Sequence, residues 1–140
     1  SARYVEQGGS FWCFVLDLDD FKQVNDNHGH LAGDEVLRRV ATVLRSSVRG
    51  QDLVGRVGGD EFAILCSGPQ GEDEIAAVAR RILTMVAREM NFNFVWPGMS
   101  IGIARVYGPE DLRDAFRRAD KALYQVKGNE KNGFSIERVD

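Results

Sequence analysis

Cysteine and proline are scarce in this chain, two and three in 140 residues. Cys13 and Cys66 each lie inside an apolar run. Buried thiols in a reducing compartment are therefore expected, and neither a disulfide framework nor a zinc site. No HExxH-like spacing surrounds His28 or His30, and no GxxxxGK[ST] phosphate loop occurs. No apolar stretch reaches the roughly 18 residues of a membrane span. The opening residues Ser1-Ala2-Arg3-Tyr4 lack the basic and apolar regions of a signal peptide. An excess of positive charge is missing too: 18 Lys and Arg against 21 Asp and Glu give −3. A phosphate-tracking surface for DNA or RNA is not expected, so phosphate chemistry would rest on local groups or metal ions. Repeats, low-complexity tracts and Pro/Gly/Ser linkers are also absent. What remains is 44% hydrophobic and 28% charged, the composition and length of one soluble globular domain.

The first strong signal is Phe11-Trp12-Cys13-Phe14-Val15-Leu16, a short apolar run read as a strand buried on both faces. It stops at Asp17-Leu18-Asp19-Asp20. Apolar residues from Gly33 to Val48 recur at helical spacing, with Gly50 as a stop. Leu53 to Val57 and Phe62 to Cys66 read as two strands, joined by a hairpin turn at Gly58-Gly59-Asp60-Glu61. Glu72 to Met90 and Glu110 to Lys127 are two further helices. Phe92 to Trp96 and Met99 to Val106 read as strands separated by Pro97-Gly98, and Phe134-Ser135-Ile136 as a short closing strand. This order implies one mixed sheet packed against helices, an α/β sandwich, and the hairpin excludes a purely parallel sheet.

Asp17 and Asp19 end one strand, and Asp60 and Glu61 sit in the hairpin turn. If the two strands are neighbours, the acids converge at one edge of the sheet. A divalent cation is the natural relief for such repulsion, and oxygen-only ligands suit magnesium or manganese. Such a site is a template for nucleotide phosphates. The bland alternative is that the acids solvate turns. Gly58-Gly59 is either hairpin punctuation or a place where backbone approaches a phosphate closely. Between Phe21 and His30 the chain is dense in ligand-recognising side chains. Lys22 can neutralise phosphate charge, and Asn25 with Asp34 can read a base edge. An aspartate accepting from N1–H and the N2 amine favours guanine over adenine. A capped loop entering the helix at Gly33 explains the same residues equally well.

At this point the chain resembles a known family. Arg56-Val57-Gly58-Gly59-Asp60-Glu61-Phe62 contains the signature of the GGDEF domain, the diguanylate cyclase catalytic domain. Asp17-Leu18-Asp19-Asp20-Phe21-Lys22 resembles its DxDxFK element, and Asn25-Asp26, Gly29-His30 and Gly33-Asp34 resemble its ND, GH and GD elements. Ser100-Ile101-Gly102-Ile103-Ala104 is similar to its SIGIA strand, and Ala119-Asp120-Lys121-Ala122-Leu123-Tyr124 to its ADxALY helix. The elements run in family order from about Phe11 to Asn132.

The resemblance implies a polymerase-palm-like fold of the nucleotidyl cyclase type, a mixed central sheet flanked by helices with a β-hairpin carrying the Gly58–Glu61 turn. It implies a homodimer that joins two GTP into cyclic di-GMP and two pyrophosphates, each 3′-hydroxyl attacking the partner's α-phosphate. On this basis Asp17, the Leu18 carbonyl and Asp60 bind Mg2+, with Mn2+ as a substitute. Asp60 is the favoured base and Glu61 a further ligand or alternative base, while Lys22 stabilises transition-state charge. Asn25 and Asp34 contact guanine and His30 lies near the nucleotide. Gly58 and Gly59 line the phosphate path, Lys127 and Lys131 reach the terminal phosphates, and the amides of Asp20 and Phe21 assist. Arg49-Gly50-Gln51-Asp52 fits the family's RxxD product-inhibition motif, with Arg80 or Arg81 as a secondary contact. Read without the family, Arg49 and Asp52 are a surface charge pair at a helix end.

Two departures stand out. Only Ser1 to Gly9 precedes the first strand where the family has a helical DxLTGLxNRRxF segment. Residues 1–140 are therefore expected to be a single domain cut from the C-terminal part of a longer signalling protein. Secondly, Lys127-Gly128-Asn129-Glu130-Lys131-Asn132 replaces KxxGRN, and Lys131 lacks the bidentate fork of arginine. The alternative function is a catalytically silent module that binds cyclic di-GMP or GTP as a receptor. Either way the domain is expected in the cytoplasm without direct membrane contact, whether or not its parent is anchored.

Overall fold

The computed structural model describes residues 11–67 and 71–138. The expectation about the missing N-terminal helix concerns residues 1–10, which lie outside the described residues. The elements in chain order are β1 (Phe11–Leu18), α1 (Phe21–His28), α2 (His30–Ser47), β2 (Leu53–Arg56), β3 (Glu61–Ser67), α3 (Glu72–Glu89), β4 (Met99–Val106), α4 (Leu112–Gly128) and β5 (Phe134–Ile136). A 3₁₀ turn, Pro109–Asp111, leads into α4. The five strands form one sheet in the order β2-β3-β1-β4-β5. β1 is antiparallel to both neighbours, β2 is antiparallel to β3, and β4 and β5 are parallel. This is the mixed, helix-flanked sheet expected.

Both faces of central β1 are covered, which explains its unbroken apolar run. Trp12, Phe14, Leu16 and Leu18 point to one side, into a core with Val36, Val40 and Leu44 of α2 and Ile75, Ile82 and Val86 of α3. Phe11, Cys13 and Val15 point to the other, against Ala115, Ala119 and Leu123 of α4. Each of these large side chains gains about 2 kcal/mol by leaving water. The same alternation continues past the apolar run. Asp17 follows Cys13 and Val15 onto the α4 side, and its register partner Glu61 shares that side by the same alternation.

Three expectations are corrected. The polar stretch from Phe21 forms helix α1, broken from α2 only at Gly29. Only Val24 of α1 is fully buried, so the apolar stripe that marks a helix is too thin to read. Phe92 to Trp96 is not a strand. Instead Phe92 stacks on Phe94 at 5.0 Å and Phe94 on His28 at 4.2 Å. Arg39 lies over the Phe92 ring and donates hydrogen bonds to the carbonyls of Glu89 and Asn91. Alternating aromatics thus pack on helices rather than on a strand. β1 also runs two residues beyond Leu16, placing Asp17 inside the sheet.

The far end of α4 is fixed by Arg118, which binds Glu137 (2.7 Å), Asp111 (3.0 Å) and the Arg105 carbonyl (2.8 Å). Its hydrogen bond is the main reason that the Asp111 carboxyl is held below its ordinary value. That contribution is complete above the usual aspartate range and is lost as pH falls through the lowered value. Arg118→Met should cost about 2 kcal/mol at neutral pH. It should also flatten the acid limb of stability below about pH 4, read from urea midpoints against pH.

Candidate active site

The catalytic candidates gather at the C-terminal end of β1. Asp17 is paired with Glu61 of β3 on one side and Ser100 of β4 on the other. The Leu18 amide donates to the Asp60 carbonyl at 3.2 Å, which ties the hairpin turn to the strand end. Burial pushes the Asp17 carboxyl up to about 6; the Lys127 charge opposes this, and the Asp60 charge adds to it. Glu61 is raised by burial first, then by the charges of Asp120, Asp17 and Asp60. One oxygen of Asp17, Oδ1, is buried without a hydrogen-bond partner. An orphaned buried carboxylate oxygen beside further acids fits a cation. Among the described residues no three His, Cys, Asp or Glu side chains form a ready metal cage.

The hairpin turn is held from beneath by a residue that motif reading passed over. Arg56 donates from Nε to the Gly58 carbonyl at 3.1 Å and from Nη2 to the Gly59 carbonyl at 2.7 Å. Gly58 and Gly59 themselves are exposed, and neither has the left-handed φ that favours glycine. A Cβ at Gly59 would meet nothing within 4 Å, and at Gly58 only the Glu61 Cβ at 3.5 Å. The turn does not need glycines for its own folding, which favours the close-approach reading over punctuation.

Each candidate lysine is paired with an aspartate. Lys127, from the last turn of α4, lies 3.4 Å from Asp17 Oδ2 and donates to Asp19 Oδ1 at 3.0 Å and to the Leu18 carbonyl at 3.4 Å. Lys131 pairs with Asp20 at 2.9 Å, and Lys22 with Asp26 at 3.0 Å. Asp20, Lys131 and Asn132 are the described non-glycine residues with positive φ. All three belong to this rim, where strained backbone often marks a functional site.

The base-reading candidates lie on α1 and α2. Asn25 is half-buried against Gly33, where a Cβ would stand 1.9 Å from Asn25 Oδ1 and 3.2 Å from the Phe21 ring. Gly33 is what lets the two helices close and fixes the amide. Asp34 lines a cleft of about 340 Å³ with Leu37, Arg38, Arg56 and Phe62. His30 and Lys22 are exposed, and Phe21 is half-buried.

The RxxD residues stand apart, beyond the other end of α2, about 20 Å from Asp34 at the helical rise. Asp52 accepts from the Arg49 amide at 3.0 Å and from the Ser67 amide at 3.0 Å. Arg81 donates to the Ser47 carbonyl at 3.0 Å, which brings it to the same end of α2. Arg80 lies over the Phe134 ring instead. Sequence reasoning grouped Asp19 with the converging acids but gave it no role of its own, although it is completely buried and takes three hydrogen bonds. A buried aspartate is invisible to periodicity.

Comparison with known proteins decides the family. The family model described as "Diguanylate cyclase, GGDEF domain" matches residues 2–133. The chain belongs to the GGDEF family. It is 33% identical over 135 residues to diguanylate cyclase DgcS of Shewanella oneidensis, covering 96% of this chain and 45% of that protein. The domain thus spans under half the length of that relative. Among solved structures, the GGDEF domain of DgcB from Caulobacter crescentus, in complex with c-di-GMP, matches with a TM-score of 0.86 at 30% identity. That match covers 96% of this chain and 82% of the other. The active GGEEF domain of a diguanylate cyclase from Vibrio cholerae gives 0.86 at 31% identity, covering 99% and 90%. The palm-like α/β fold expected from the sequence is therefore the fold found. No helix among the described residues is long and apolar enough to cross a membrane.

Proposed function

We propose that this GGDEF domain is a diguanylate cyclase that condenses two GTP into cyclic di-GMP and two pyrophosphates. The observation that carries the reading is the buried, unpartnered oxygen of Asp17, in register with Glu61 and within reach of the Asp60 charge, beside two glycines the turn does not require. Asp17, Asp60 and the Leu18 carbonyl would hold Mg2+ or Mn2+, with Glu61 as a further ligand. Such an ion supplies charge neutralisation at the phosphates. Asn25 and Asp34 hold guanine, and His30 lies near the nucleotide. The Asp20 and Phe21 amides and Gly58-Gly59 border the phosphates, while Lys22, Lys127 and Lys131 balance their charge.

Two domains face each other about a two-fold axis, each with one GTP. The 3′-oxygen on one attacks the α-phosphorus on the other. Asp60 takes the hydroxyl proton, the new P–O bond forms, and the bond to the β-phosphate breaks to release pyrophosphate. Repetition in the opposite direction closes the ring. Arg49 and Asp52 form a product-inhibition site in this reading, with Arg81 at hand and Arg80 more remote.

The test is incubation of purified protein with GTP and magnesium, following pyrophosphate and nucleotide products by chromatography. Metal-dependent cyclic di-GMP is expected, with rate rising faster than linearly in protein concentration. Absence of product together with binding of cyclic di-GMP would instead make the domain a receptor. A second prediction concerns Gly33→Ala. Its methyl group would displace the Asn25 amide and raise KM for GTP about tenfold, with kcat changed less.

A further inference from the structure

Three lysines border the proposed phosphate site, and each is paired with an aspartate. Two of the pairs lie at the surface: Lys22–Asp26 has side chains 89% and 59% exposed, and Lys131–Asp20 43% and 38%. Ion pairs so exposed are readily exchanged for another partner. Lys127 differs in kind, because its partner Asp19 is 0% exposed. Asp19 Oδ1 accepts from Ser100 Oγ at 2.7 Å as well as from Lys127, and Oδ2 accepts from the Asn132 amide at 2.8 Å. Its carboxylate is thus clamped by β4 and by the loop after α4, and it holds the ammonium in one place.

That place adjoins the metal position of the reading above: the ammonium takes Asp17 Oδ2, while Oδ1 is the unpartnered oxygen. The ammonium lies 3.4 Å from Asp17 Oδ2 and 3.4 Å from the Leu18 carbonyl oxygen. It cannot remain there beside a divalent ion, since two cations at that separation repel strongly. A nucleotide arriving with the ion brings phosphate oxygens that can accept the displaced N–H groups.

We propose that Lys127, anchored by Asp19, is a built-in counter-cation that occupies Asp17 and the Leu18 carbonyl until metal and nucleotide displace it, so that their binding is coupled. Asp19 is then a positioning residue acting through Lys127. The inference rests on the proposed role of Asp17 and Leu18 as metal ligands.

The test measures Mn2+ affinity of the nucleotide-free protein from the free-ion EPR signal. Lys127→Met keeps the length of the side chain and removes the charge. It should tighten Mn2+ binding about tenfold or more, the lower end being the size of a fully water-screened repulsion between a unit charge and a divalent ion. The gain in Mn2+ affinity on adding a non-hydrolysable GTP analogue should shrink. The double variant Asp19→Asn/Lys127→Met removes the buried charge with its partner, guards against unfolding, and should behave alike. A folded variant with unchanged or weaker nucleotide-free Mn2+ affinity would overturn the proposal. If neither variant folds, wild-type protein carries the test through the Lys127 15Nζ resonance. Saturating Mg2+ should move that resonance, and an unmoved signal overturns the proposal. Wild-type protein that binds no Mn2+ even with the GTP analogue would overturn the metal reading itself. Normal coupled binding without tightening in the variants would overturn the counter-cation alone.

Discussion

Asp60→Ala is expected to lower cyclic di-GMP formation by about 10³-fold or more while leaving the domain folded. The two halves of that expectation have separate causes. Asp60 sits on a turn whose folding depends on backbone bonds: its carbonyl accepts from the Leu18 amide, and Val57 donates to the Glu61 carbonyl. The substitution keeps all of these. Its carboxylate, by contrast, is an electrostatic burden in the nucleotide-free protein, because its charge pushes both Asp17 and Glu61 upward. Removing it relieves that repulsion, so the urea midpoint should be unchanged or slightly higher. A carboxylate whose charge raises both of its acidic neighbours is better explained by chemistry than by packing. Pyrophosphate release and urea titration on the same preparation check both halves. Full activity in the variant would remove Asp60 from the site.

The largest effect on stability is expected from Gly102→Ala. Gly102 lies in the middle of β4, opposite Val15, on the face covered by α4. A Cβ there would stand 2.0 Å from the Ala119 carbonyl oxygen and 2.4 Å from the Leu123 amide nitrogen. Both are backbone atoms of α4, so no side-chain rotation can make room. The helix must lift from the sheet, at a cost of about 3 kcal/mol. For a domain of this size the melting temperature should fall by about 10 °C. Because α4 also delivers Lys127, the same variant should loosen the ammonium from Asp17 and Asp19. An unchanged melting temperature would mean that α4 does not pack this closely on β4.

The sequence carried much of this domain in its patterns. The double-sided burial of β1 was legible because Phe11 to Leu16 is apolar without alternation, and helices α2, α3 and α4 because their apolar residues recur at helical spacing. Helix α1 was not legible, since it buries only Val24 fully and, apart from half-buried Phe21, its remaining residues are polar. Phe92, Phe94 and Trp96 alternate as a strand would, but alternation does not say whether a sheet edge is available. Stacking on His28 and Arg39 claimed the Phe94 and Phe92 rings instead.

The sequence by itself determined the family, through the ordered elements from Asp17 to Asn132, and with it the residue types at the site. Only the tertiary structure decided which of them act on one another. The period of two carries Asp17 onto the face under α4, and the antiparallel register sets Glu61 beside it. Asp19, one residue beyond the strand, is enclosed by Ser100, Lys127 and Asn132, the last two more than 100 residues away in the chain. Periodicity registers which face a residue takes within its own element. Charge pairing between elements depends on distances that only packing creates.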